Sequence, residues 1–187
     1  MGYEFRELEL PGLLLVEGKS FPDARGYFME SFREDEFAAR GLPRFLQDNL
    51  SRSKKGVVRG MHYQTAAAPV AKLIRCVRGK IFDAVVDVRK GSPTYGKWLA
   101  LELSDEGNRM LYIPAGFAHG FMALSDEADV QYKVTGYWTP AVDRGIRWND
   151  PAVGIKWPAL KPLVVAKDEA HPLLADAPPD YVWKVNS

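Results

Sequence analysis

Cysteine is nearly absent from this chain: Cys76 stands alone among 187 residues. A single thiol excludes an intrachain disulfide and suits a reducing compartment. Histidine is almost as scarce, with only His62, His119 and His171. Neither sign of charge dominates: 25 Lys and Arg against 24 Asp and Glu leave a net charge of +1. No global field therefore points to nucleic acid or a membrane surface as partner. No apolar run approaches the roughly 20 residues of a membrane span. The opening MGYEFRELEL is charged and lacks the apolar stretch of a secretion signal. Repeats, low-complexity stretches and obvious linkers are also missing. The expectation is a soluble cytoplasmic protein forming a single domain over residues 1–187.

What is present has β character. VVRGMHYQ, KLIRCVR, KIFDAVVDV, KWLALEL, MLYIP, HGFMALS and ADVQYKVTGYW are short runs rich in Val, Ile, Leu and aromatics. Gly and Pro punctuate the gaps, which are too short for crossover helices. An antiparallel sandwich or barrel follows, rather than βαβ units. One helix is expected near the N-terminus, with Ser31 and Glu34 as a capping box and Gly41 just past its end. After Trp138 the chain is rich in Pro, Asp and Lys. It reads as loops wrapping the sheet and ending in a short helix, with Trp148 and Trp157 as anchors.

PAGFAHGF, residues 114–121, contains P-x-G-x-x-H at the start of a β run. That spacing occurs in the second metal-binding motif of cupin barrels, where the His is a ligand. The first cupin motif needs H-x-H, and GMHYQ has Gly60 where the other His would stand. Two histidines without a third make a poor transition-metal site. The pattern suggests a cupin-type barrel without its metal.

Without metal, His62 is the best acid–base candidate, because a neutral imidazole near pH 7 accepts a proton. An imidazole on an apolar strand is otherwise a packed, hydrogen-bonded core residue. A base of this kind has a carboxylate partner, and Asp48, Asp83, Asp87 and Asp168 all remain open. Strict alternation puts Lys72, Ile74 and Cys76 on one strand face and Leu73, Arg75 and Val77 on the other. Tyr132 shares a face with Val134 and Trp138, which would present a phenol and a flat ring to a ligand. Cys76 reads as a small buried apolar residue. His171, beside Pro172, reads as a solvent-exposed loop residue.

RGMHYQ, KLIRCVRGKIFDAVVDVRKGSPTYGKW, IPAGFAHGF, YKVTGYW, WNDPAVGIKWP and AKDEAHPLL closely resemble the dTDP-4-dehydrorhamnose 3,5-epimerases. The resemblance runs in register from FPDARGYFMESF to HPLL, nearly the whole chain. It implies a mainly β, cupin-type double-stranded β-helix (jelly roll) with a short N-terminal helix and a C-terminal loop and helix extension. It implies no metal and no cofactor, a homodimer, and a dTDP-4-keto-6-deoxy sugar substrate inverted at C3 and C5. By the same resemblance His62 is the base, Asp168 its partner, Tyr132 the acid and Lys72 the residue at the enolate oxygen. Arg25 and Arg59 would hold diphosphate or nucleotide oxygens. Glu30, Gln47, Asp48, Asn49, His119, Asp143 and Lys167 fall at other ligand-contacting positions, and Trp138 at the nucleotide-stacking position.

Three departures stand out. Trp138 replaces the usual Tyr, and an indole stacks at least as well. Asp143 stands where relatives carry Glu. The loop TAAAPVA, residues 65–71, is unusually apolar beside the sugar end of the site. Strand alternation also puts Arg59 opposite in parity to His62. For both to touch one ligand the strand must bulge at Gly60; alternatively Arg59 reaches over the rim or serves a neighbouring subunit. Alternatives are a 3-only or 5-only epimerase on a related sugar nucleotide, a metal-dependent cupin enzyme, and a non-catalytic sugar-nucleotide binder.

Overall fold

A computed structural model describes residues 2–183. Thirteen strands form two opposed antiparallel sheets and a small hairpin. The six-stranded sheet runs in the order β1 (Tyr3–Glu7), β2 (Leu14–Gly18), β10 (Arg109–Ile113), β7 (Lys72–Arg78), β12 (Glu127–Val134) and β5 (Gln47–Lys54). The five-stranded sheet runs β13 (Asp143–Gly145), β6 (Val58–Gln64), β11 (Phe117–Ala123), β8 (Lys80–Asp87) and β9 (Trp98–Ser104). The separate hairpin pairs β3 (Ser20–Asp23) with β4 (Gly26–Met29). All sheet pairings are antiparallel, as the short connections required.

Period-two alternation sorts side chains into three apolar layers. Between the sheets lie Ile74 and Cys76 of β7, Leu111 and Ile113 of β10, Val85 of β8, and Phe117 and Phe121 of β11. Outside the five-stranded sheet, Met61, Tyr63, Ala84 and Val86 are covered by Ile146, Val153, Leu174 and Trp157 of the C-terminal wrap. Trp157 Nε1 donates to the Trp148 carbonyl at 2.8 Å, so these two indoles anchor that wrap as expected. Outside the six-stranded sheet, Leu73, Met110 and Tyr112 are covered by Phe37, with Phe32 and Phe45 beside it.

Phe37 belongs to α1 (Glu34–Ala38). The expected capping box does not form: Arg33 is the N-cap residue and gives no side-chain cap. Its guanidinium instead pairs with Asp35 at 2.7 Å. Gly41 does lie just past the helix in a left-handed conformation (φ +72°), where glycine is favoured. The second helix, α2 (Ala166–Glu169), is one turn long and carries Asp168 against β6.

Strand β6 is irregular at the predicted place. His119 of β11 pairs with His62, but Phe121 pairs with Arg59. One residue of β11, Gly120, therefore faces two of β6, Gly60 and Met61. This bulge restores common parity to Arg59 and His62. Gly60 has φ +138°, and a Cβ there would stand 2.5 Å from the Gly120 Cα. Only glycine fits both the backbone conformation and this close strand approach.

Candidate active site

A pocket of about 400 Å³ opens where β5, β6, β7 and β12 come together. Gln47, Asn49, His62, Lys72, Tyr132, Trp138, Asp143 and Lys167 line it, a set the sequence had singled out. It shares Asn49, His62, Tyr132 and Lys167 with an adjoining cleft of about 770 Å³, where Arg59 and Asp168 join the wall. His62 comes from the five-stranded sheet and Tyr132 from the six-stranded one. The imidazole and the phenol thus occupy opposite walls.

Asp168 is the carboxylate that meets His62, with Oδ1 2.8 Å from Nε2. Its Oδ2 accepts the Gly60 N–H at 3.1 Å. Burial pushes the Asp168 pKa up, but the His62 bond and charge, the Gly60 N–H and His171 outweigh it and hold it below the ordinary value. With Nε2 engaged, Nδ1 is the nitrogen left for a substrate proton. The other three candidate aspartates are committed elsewhere. Asp83 bonds His119, Asp87 bonds Arg89, Ser92 and Thr94, and Asp48 bonds Lys133.

The Tyr132 hydroxyl lies 3.2 Å from Ser51 Oγ. Burial raises its pKa despite that bond, so the phenol keeps its proton at neutral pH. Lys72 Nζ donates to the His62 carbonyl at 3.1 Å. Burial lowers its pKa to about 8, against the pull of Asp143 and Asp83. The cation is therefore poorly solvated and available to an anionic oxygen in the pocket. Arg59 donates to Ser53 Oγ at 2.9 Å and to the Arg52 carbonyl at 3.1 Å. Asp143 and Lys167 pair at 2.8 Å, and Trp138 is 61% exposed beside them on the pocket wall. Val70 of the apolar loop reaches the same pocket.

Four expected ligand contacts are not on this pocket. Arg25 sits on the β3–β4 hairpin, paired with Asp23 and 90% exposed. Glu30 follows that hairpin, and its carbonyl accepts the Tyr3 hydroxyl on the outer side of the six-stranded sheet. Asp48 alternates away from Gln47 and Asn49 and meets Lys133 instead. His119 lies beneath the wall, 3% exposed, with its Nε2 2.6 Å from Asp83 Oδ1. Burial lowers its pKa against the pull of that carboxylate. Its Nε2 is thus spent on Asp83.

Two neighbours of the site escaped the sequence reading. His171 is not solvent-exposed: its side chain is 13% accessible and packs against His62. Its i,i+3 spacing from Asp168 was the available signal. Ser51 shares a strand face with Asn49 by period two, which is the signal for its contact with Tyr132. His62, Asp168 and His171 also form a group whose donor atoms lie within 4.8 Å of one another. The His62–Asp168 separation in it is that of a hydrogen bond.

Two opposed sheets with a pocket between them define a cupin-like jelly-roll protein. The profile described as dTDP-4-dehydrorhamnose 3,5-epimerase matches residues 7–176, and the chain belongs to that family. A Shigella flexneri dTDP-4-dehydrorhamnose 3,5-epimerase is 49% identical over 175 residues, covering 92% of this chain and 96% of the relative. A Streptomyces niveus dTDP-4-dehydrorhamnose 3-epimerase is 42% identical, covering 92% of this chain and 84% of the relative. The crystal structure of a Legionella pneumophila 3,5-epimerase in complex with dTDP-4-keto-L-rhamnose superposes with a TM-score of 0.93. It is 40% identical and covers 98% of this chain and all of that one.

Proposed function

We propose that the chain is an epimerase that inverts C3 and C5 of dTDP-4-keto-6-deoxyglucose, giving dTDP-4-keto-L-rhamnose. The observation that carries this reading is the opposition of the His62–Asp168 pair and the Tyr132 phenol across one pocket. The C4 ketone acidifies the protons on C3 and C5, because the carbanion left behind is an enolate. His62 Nδ1 takes the proton, and Asp168 steadies the imidazolium. Lys72 stabilises charge on the enolate oxygen. Tyr132 delivers its proton to the opposite face, which inverts the centre. The imidazolium then gives its proton to solvent and the tyrosinate takes one from solvent, and the reset pair acts in the same way at the second carbon. Trp138 stacks on thymine, while Gln47, Asn49, Arg59, Asp143 and Lys167 hold the rest of the nucleotide sugar. No metal or cofactor is needed for these steps.

The reading includes a homodimer and one domain over the whole chain. Phe21, Tyr27 and Phe28 on the hairpin, and Leu46 and Leu50 on or beside edge strand β5, are exposed apolar side chains. Arg25 and Glu30 lie on or beside that hairpin, away from their own pocket. A second copy set against this edge would receive them at its site. A cytoplasmic setting agrees with the lone thiol. Among the described residues no helix is long and apolar enough to cross a membrane.

Incubation with dTDP-4-keto-6-deoxyglucose in heavy water tests the activity. Deuterium at both C3 and C5 is the expected result. Label at C3 alone makes the protein a 3-epimerase, like the Streptomyces niveus relative in name, and no label overturns the catalytic reading. Light scattering in solution tests the dimer.

A further inference from the structure

His171 stands beside the base without touching the pocket. Its Nε2 is buried and has no hydrogen-bond partner. That nitrogen lies 4.0 Å from Asp168 Oδ1, the same oxygen that His62 Nε2 approaches at 2.8 Å. The two imidazoles meet edge to face, with centroids 5.5 Å apart and planes at 74°. Gly145 is the register partner of His62 on β13, and a Cβ there would run into three atoms of the His171 ring. The missing side chain is therefore the slot in which His171 sits. The His171 carbonyl accepts Arg147 Nε at 3.4 Å, and the Arg147 N–H donates to the Pro172 carbonyl at 2.8 Å, which fixes the loop.

We infer that His171 is a positioning residue for His62: it braces the edge of the catalytic ring and closes the space behind the carboxylate both imidazoles share. This rests on the epimerase reading above. One wedge-shaped contact from His171 and one hydrogen bond from Asp168 leave the His62 ring little freedom to turn. A base held in its reactive orientation is worth more than one that must find it. Charge works in the same direction. The groups acting on His171 are His62 of β6, Asp168 and Lys167 of α2, and Asp143 of β13, with Arg147 on its carbonyl. Burial, then the nearby His62, lower its pKa, which keeps His171 neutral while His62 carries the transferred proton.

The test compares wild type, His171→Ala and His171→Phe for kcat and KM. Phe keeps an edge-on ring without nitrogens, and it serves also if the Ala variant fails to fold. In His171→Ala, kcat should fall on the order of tenfold to a hundredfold, with KM nearly unchanged because His171 does not line the pocket. His171→Phe should lose less. Variants with the wild-type kcat overturn the inference, as does a raised KM with unchanged kcat, which would make His171 a ligand contact. A wild-type protein that exchanges no C–H protons removes the epimerase reading and this inference with it. An active wild type with unmoved variants removes this inference alone.

Discussion

His62 and His119 are register partners on neighbouring strands, yet each spends its Nε2 on a different aspartate, Asp168 and Asp83. The pairing divides two similar residues into two roles. Asp168 reaches His62 from a helix 106 residues away, at the pocket wall. Asp83 holds His119 beneath that wall, where neither ring nor carboxylate is open to solvent. An imidazole works as a base only where a substrate proton can reach it, and of these two rings only His62 lines the pocket.

Replacing Asp168 by Asn keeps the size of the partner but removes its charge. The imidazolium then loses its counter-charge, and kcat should fall by roughly 10³–10⁴ with little change in KM. Proton exchange in heavy water, with circular dichroism as the folding control, checks this. The depressed carboxyl pKa also links the pair to stability. Its contribution is fully present above the ordinary value of 3.8 and is lost as pH falls through the folded value. The Asn variant should be less stable at neutral pH and lose this part of the acid dependence.

Lys72 should impose an alkaline limit on turnover. Its ammonium is charged below its pKa of about 8, so stabilisation of the enolate fades as pH rises past that point. The profile of kcat against pH should bend downward near 8, and Lys72→Met should cut kcat by about 10²–10³. Stability responds in the opposite sense. A buried lysine with a lowered pKa costs folding energy at low pH, and that cost shrinks as pH climbs from about 8 toward 10.5. Lys72→Met should therefore raise Tm at pH 7 by about 2–4 °C while activity falls.

Gly60→Ala tests the bulge. The new Cβ needs space that the Gly120 backbone holds and a left-handed φ that alanine avoids. A loss of about 2–4 kcal/mol in urea unfolding is expected, with an unchanged m-value. Residual activity should drop further than stability alone explains, because Arg59 and His62 lose their common face.

Trp138 can be removed without touching the acid–base groups. Its indole is largely exposed on the pocket wall, so Trp138→Ala should leave the fold intact. Affinity for dTDP should weaken by about 1–2 kcal/mol, the scale of base–aromatic stacking. Calorimetric titration of dTDP measures this, and KM should rise in parallel with little change in kcat.

Local sequence carried much of the architecture. Alternation in KLIRCVR put Lys72, Ile74 and Cys76 on one face and Leu73 on the other, and the structure turns the first face inward. The parity conflict between Arg59 and His62 made a bulge at Gly60 one of the open alternatives, and the register shift beside it is observed. Other signals misled for physical reasons. Ser31 and Glu34 had the right spacing for a capping box, but Arg33 sets the helix entry. Arg25 and Glu30 are a different case: their hairpin lies away from their own pocket, where a second copy would meet them. Asp48 lay between two pocket residues and so had to point the other way.

The sequence by itself determined the β architecture, the faces of each strand and the pool of chemical groups, because side-chain direction along a strand is a local property of the backbone. Tertiary structure alone decided which groups meet. Four aspartates were equivalent by residue type and strand pattern, and only the family resemblance singled out Asp168; the wrap of the C-terminal segment brings it to His62, and strand pairing brings Asp83 to His119. The same wrap turned His171 from an apparent loop residue into the neighbour of the base. Contacts across a hundred residues depend on how layers close over one another, and no local pattern encodes that closure.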